Sequence, residues 1–184
     1  MSEIELLMIG FTMVLASGLV RCLEGLYHAT ISPQSYWIPQ VLLWGTFIYG
    51  LSFLWAFRDN LSDPTPTYIF YASSISFASL FFLLTYVMAT NDSAKVKDWA
   101  LHFQETARPY FVIAALTSLL SIVAAWSAGE STGFDAVSIP FWLGVVLNAT
   151  GAIFDNTRIR GVIAVILLML VVIGSYVLFS NDMV

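Results

Sequence analysis

Gly161-Val-Ile-Ala-Val-Ile-Leu-Leu-Met-Leu-Val-Val-Ile-Gly-Ser-Tyr-Val-Leu-Phe179 contains no charged residue. A helix needs about 20 mainly apolar residues to cross roughly 30 Å of hydrocarbon, and this run meets that requirement. Only helices and closed barrels satisfy every backbone polar group inside a bilayer. A barrel strand alternates apolar and polar residues over roughly ten positions. Val162 to Ile173 does not alternate at all, so the run is a transmembrane helix.

Working outward from it, five more stretches pass the same ruler. The chain divides into spans at 4–28, 37–57, 68–89, 109–128, 136–154 and 161–179. The second and third contain no charge. The fourth opens on Pro109, where a missing N–H costs a helix nothing. The fifth is the weakest, short and carrying Pro140 and Asn148. The expected fold is therefore an all-α, polytopic bundle of six spans occupying residues 1–184 as a single domain. Composition agrees. Of 184 residues 59% are hydrophobic and 10% charged, against roughly 25% charged in a soluble domain. Seven Lys and Arg cannot form a phosphate-neutralising face, which excludes a nucleic-acid partner. Cys22 is the single cysteine, so no disulfide scaffold exists. The Met-Ser-Glu-Ile-Glu start lacks the positive region of a cleavable signal, and the first span is expected to be retained.

Lys and Arg accumulate in cytoplasmic loops. Arg21, Lys95, Lys97, Arg108, Arg158 and Arg160 follow spans one, three and five; only Arg58 falls on the other side. This predicts both termini outside the cytoplasm. Glu3, Glu5, Asp59, Asp63, Glu130, Asp135 and Asp182 make that outer side acidic. In the longest inner connection, Val96, Trp99 and Phe103 fall at i, i+3 and i+7. They predict a short amphipathic helix lying on the inner membrane surface, or one packed on the bundle. Asp63-Pro64-Thr65-Pro66 reads as a rigid outer turn. Trp37, Tyr36, Trp55, Phe57, Tyr68 and Trp99 sit near span ends, where aromatic belts are expected.

Arg21, Glu24 and His28 share one helix face in the inner half of the first span. Ionisable groups at membrane depth are costly and point to function. A carboxylate beside a guanidinium stays ionised, and a histidine one turn on exchanges protons near neutral pH. Two readings follow: a proton or ion relay, or an interfacial anchor whose arginine snorkels. Asn148, with Gly144, Gly151 and Ala152 beside it, is either a helix-packing device or the lining of a polar path. The serines of the third span and the Ala114, Ser118, Ser121, Ala125 stripe of the fourth read as packing faces. Asp155, Arg158 and Arg160 read as a solvated turn.

No Schiff-base lysine lies in a span, and no metal-spaced Cys/His set or phosphate-binding glycine loop occurs. A bis-histidine haem would have to use His28 and His102. The reading is a protein without metal or cofactor and with bound lipid. It is a channel- or transporter-like protein, ion- or proton-linked through Arg21, Glu24, His28 and Asn148. The alternative is an accessory subunit of a larger membrane complex. A membrane enzyme comes third, because no polar cluster resembles a catalytic constellation. Membrane lipids, and either further copies of the chain or other subunits, are the expected partners.

Several patches carry a resemblance. They are Ile9-Gly10, Val20-Arg21-Cys22-Leu23-Glu24-Gly25-Leu26, Tyr36-Trp37, Asp98-Trp99-Ala100-Leu101-His102-Phe103 and Arg108-Pro109-Tyr110-Phe111. Through them the chain resembles a set of bacterial six-span integral membrane proteins of about this length with no known function. The resemblance covers the first two thirds of the chain. It implies a bacterial cytoplasmic (inner) membrane and nothing about substrate.

Overall fold

The computed structural model describes residues 3–60, 68–90, 93–127, 129, 133–134 and 138–181. Among these lie six α-helices: α1 (Glu3–Ile31), α2 (Trp37–Asn60), α3 (Tyr68–Ala89), α4 (Trp99–Ser127), α5 (Ile139–Ile153) and α6 (Thr157–Asn181). A single 3-10 turn, Ser93–Lys95, stands between α3 and α4. Five of the helices are long and apolar enough to cross a membrane. The protein is thus an all-α, multi-pass membrane protein. α5 is apolar but has 15 residues, about 22 Å of helix at 1.5 Å per residue. The Pro-rich turn at 63–66, the start of the expected fifth span at 136–137, and the acidic residues Glu130, Asp135 and Asp182 lie outside the described residues.

The helices close into a ring. α1 packs on α3, α3 on α4, α4 on α5, α5 on α6, α6 on α2, and α2 back on α1. Small residues set the register of these seams, because without a Cβ two backbones approach closely. Gly18 faces Phe81 and Phe82, and Gly25 faces Ala89. Both partners advance by seven residues in the same direction, so α1 and α3 run parallel. Gly161 meets Ile38, Gly45 meets Leu168, and Ser52 meets Ser175. Again the step is seven and the helices α2 and α6 are parallel. On the α4–α5 seam Gly144 meets Ser118 and Gly151 meets Phe111, which makes that pair antiparallel. Seven-residue steps are the mark of shallow, coiled-coil-like crossings.

Two buried clusters pack inside the ring. One holds Cys22, Leu43, Met88, Phe103 and Phe111; the other holds Phe11, Leu15, Phe77 and Phe81.

The start of α4 corrects two expectations. Asp98 Oδ1 accepts hydrogen bonds from the backbone N–H of Ala100 (2.9 Å) and Leu101 (3.0 Å). Such a cap supplies partners to the orphan donors of a first turn. The helix therefore begins at Trp99 and continues through Pro109 as one 29-residue element. Trp99, Phe103 and Ala107 are buried on the face that continues into Tyr110, Phe111 and Ala114. The surface-lying helix of Val96, Trp99 and Phe103 does not exist. Val96 is half-buried outside any helix, and Trp99, with no exposure, belongs to the core and not to an aromatic belt. Trp37 (49% exposed) and Tyr68 (85%) do stand exposed at helix starts.

Candidate functional site

A cavity of about 660 Å³ lies between α2, α4, α5 and α6, with Phe70 and Leu84 of α3 also on its wall. It extends along α2 from Val41 to Ala56, about 22 Å of helix rise. Along α4 it extends from Tyr110 to Ala125, and along α6 from Ala164 to Val177. Most of its described wall is aliphatic or aromatic, and among the described residues no Asp, Glu, Lys, Arg or His lines it.

Among the described residues the polar groups of the wall are hydroxyls and one amide. α2 contributes Thr46, Tyr49 and Ser52, three residues apart and so about 4.5 Å apart along the axis. Each pairs with a hydroxyl from another helix. Thr46 Oγ1 lies 2.7 Å from Tyr110 OH, Tyr49 OH 2.6 Å from Ser121 Oγ, and Ser52 Oγ 2.6 Å from Ser175 Oγ. These bonds join α2 to α4 at two levels and to α6 at a third. Buried polar atoms are normally satisfied, and here most of the satisfaction is internal. Thr46, Ser52, Thr117, Ser118, Ser121 and Ser175 also place their hydroxyls within hydrogen-bond distance of carbonyls of their own helices.

Asn148 stands on the α5 wall, 4% exposed. Its Nδ2 donates to Gly144 O at 2.8 Å, which fixes the amide orientation because a carbonyl only accepts. Its Oδ1 is buried without a partner. Asn148 therefore sits at once on the small-residue α4–α5 seam and on the cavity wall.

The other sequence-selected residues lie elsewhere. Arg21 is half-buried between α1 and α3, its guanidinium carbon 5.0 Å from the ring centre of Tyr86 and 5.7 Å from that of Phe82. That placement is a cation–π contact. Its Nη1 is buried without a hydrogen bond. Glu24 is exposed and forms no ion pair with Arg21. His28 stands half-buried one turn on, its ring edge-on to Tyr27. The Arg21, Glu24 and His28 face is thus turned away from the cavity that Asn148 lines. His102 places Nε2 2.9 Å from Met88 O at the end of α3.

Arg160 corrects the solvated-turn expectation. It is 4% exposed, donates from Nε to Gly151 O at 3.0 Å and pairs through Nη2 with Asp155 Oδ1 at 2.6 Å. It satisfies a carbonyl that the end of α5 leaves without an intrahelical donor. Asn156 caps α6 by accepting from Arg158 N at 2.9 Å.

Sequence reading missed Thr46, Tyr49, Ser52 and Ser175. A signal existed in the first three, which recur at i, i+3 and i+6 in an otherwise apolar span. No family model, curated protein or solved structure matches this chain. Fold and site together define a multi-pass helical membrane protein with a hydroxyl-bearing cavity between its helices, in which the described lining residues carry no charge.

Proposed function

We propose that the chain is a channel- or transporter-like protein for an uncharged solute, and that the cavity between α2, α4, α5 and α6 is its path. The observation that supports this most is the cavity's combination of length, hydroxyl pairs and lack of any charged residue among the described residues of its wall. A bare ion in such a wall would lose its hydration without gaining a counter-charge, which costs far more than moving a neutral molecule. The solute path replaces the ion relay through Arg21, Glu24 and His28 that the sequence alone suggests.

The reading includes six crossings, with α5 as a short fifth span antiparallel to α4. Six of seven basic residues then fall on one side, and both termini face out of the cytoplasm. A bacterial inner membrane follows from the family resemblance, with lipids and further copies of the chain as partners. The test is solute flux in proteoliposomes. Swelling should be faster than in empty vesicles under an erythritol gradient, and potassium chloride should not permeate. Ion conduction that disappears in Glu24→Gln would overturn the proposal and restore the relay.

Glu24 favours a second reading. A carboxylate exposed on the outer face of a membrane helix is placed to meet another subunit. Stable co-purification with other membrane proteins, lost in Glu24→Gln, would support an accessory role.

A further inference from the structure

Resting on the cavity as the proposed path, we infer that it opens sideways into the bilayer and admits an acyl chain of a membrane lipid, which shares the space with the solute. The opening follows from the lengths of two helices. α5 has 15 residues and α6 has 25, about 22 Å and 37 Å of helix. Only Phe154, Asp155 and Asn156 separate them, so the two run back from one short turn. α6 therefore continues about 15 Å past the level at which α5 begins. On that stretch the cavity wall is open. Ile173 is 61% exposed and Val177 50%, although both line the cavity. Gly174 between them lines it too, and a Cβ there would meet nothing within 4 Å. Across from them stands Pro140, exposed at the start of α5 and also on the wall. Ile173 and Gly174 belong to the apolar stretch Thr157–Val177, which is long enough to cross a membrane. Ile173 lies about 24 Å of helix rise from Thr157, inside the roughly 30 Å of a hydrocarbon core. The medium at the opening is therefore acyl chain.

The wall suits that medium. Its described residues are mostly aliphatic or aromatic and carry no charge. The hydroxyls of Thr46 and Tyr110, Tyr49 and Ser121, and Ser52 and Ser175 are paired across helices, whichever member of each pair donates. An ordered water needs about two to four polar partners at one place. These pairs instead stand about 4.5 Å apart along α2, with apolar side chains around them. An aliphatic chain needs no polar partner and gains dispersion contacts along the whole wall. The length fits as well. The cavity extends about 22 Å along α2, and one leaflet's share of the hydrocarbon core is about 15 Å. A charged headgroup would find no counter-charge among the described wall residues, so it stays at the membrane surface and only the chain enters.

The test is photolabelling of the full chain in proteoliposomes. The probe is a phosphatidylcholine with a diazirine at the end of one acyl chain, and mass spectrometry locates the labelled residues. Labels are expected on Gly45, Tyr49 and Ser52, which line the cavity on α2, as well as on the exposed Met169 of α6. Labels confined to outward positions such as Met169 would overturn the inference. Gly174→Trp places a ring in the opening, where the backbone has room for a side chain. This variant should lose the three cavity labels and keep the one on Met169. Retention of the cavity labels would overturn the α5–α6 opening as the route. The label map of the unchanged protein decides the matter even if that variant does not fold. A diazirine-bearing decane that labels the wall where the phospholipid does not would overturn the lipid as the source. Erythritol flux without cavity labels would overturn only the acyl chain. Cavity labels without flux would overturn only the transport reading.

Discussion

At the scale of single residues, two arginines differ in what holds them. Arg160 is buried on Gly151 O and Asp155. Arg160→Leu strands that carbonyl and should destabilise by about 1–3 kcal/mol. Asp155 is exposed, so Asp155→Asn should cost about 0–1 kcal/mol. Thermal unfolding of the two variants checks the order. Arg21 rests on aromatic rings, and Arg21→Gln should cost about 1 kcal/mol. Glu24→Gln should leave the melting temperature unchanged, and the Arg21–Glu24 double-mutant cycle should show no coupling. Strong coupling would mean that the two side chains meet. The positions of Arg21, Glu24 and His28 on one face of α1 were legible from their spacing. Their side-chain partners were not, because helical periodicity says which residues share a face and nothing about which neighbour that face meets. The burial of Arg160 was hidden for a related reason: a short charged connection looks the same whether its arginine is solvated or folded back on a helix end.

At the scale of elements, the glycine seams make the register testable. A Cβ at Gly25 would lie 2.6 Å from Ala89 Cβ and 3.2 Å from its Cα. The obstacle includes backbone, so α1 and α3 must separate, and Gly25→Ala should destabilise by about 1–3 kcal/mol. Gly10 has nothing within 4 Å of the same position. Gly10→Ala should stabilise by up to about 1 kcal/mol through helix propensity alone. Opposite signs in a single unfolding assay would support the α1–α3 seam, and equal effects would contradict it. The five long helices were legible because hydropathy at this length has one meaning. Pro109 resembles a helix start in the sequence, whereas Asp98 is the true cap of α4 and Pro109 merely leaves the Glu105 carbonyl without its usual donor. The apolar face of Trp99 and Phe103 was read correctly as a face; period alone does not distinguish lipid headgroups from a bundle core.

At the scale of the whole molecule, α5 decides the topology. With α5 crossing, an enzymatic reporter fused at Val184 should be active outside the cytoplasm. Activity only inside would reduce the chain to five crossings. Alternation of direction along the ring, parallel for α1–α3 and α2–α6 and antiparallel for α4–α5, is what an up-and-down chain of six requires. The ring order and the cavity were not legible, because both depend on which helices meet and no periodicity encodes that. The central claim is that solute moves through this cavity. It is tested most directly by cysteine accessibility in a Cys22→Ala background, with Ser52→Cys and Ser121→Cys on the wall and Val146→Cys on the exposed outer face of α5. A small, membrane-impermeant thiol reagent should modify both wall positions, spare Val146→Cys, and stop erythritol flux in step with modification. Wall cysteines that stay unreactive in the folded protein, or that react while flux continues unchanged, would contradict the account.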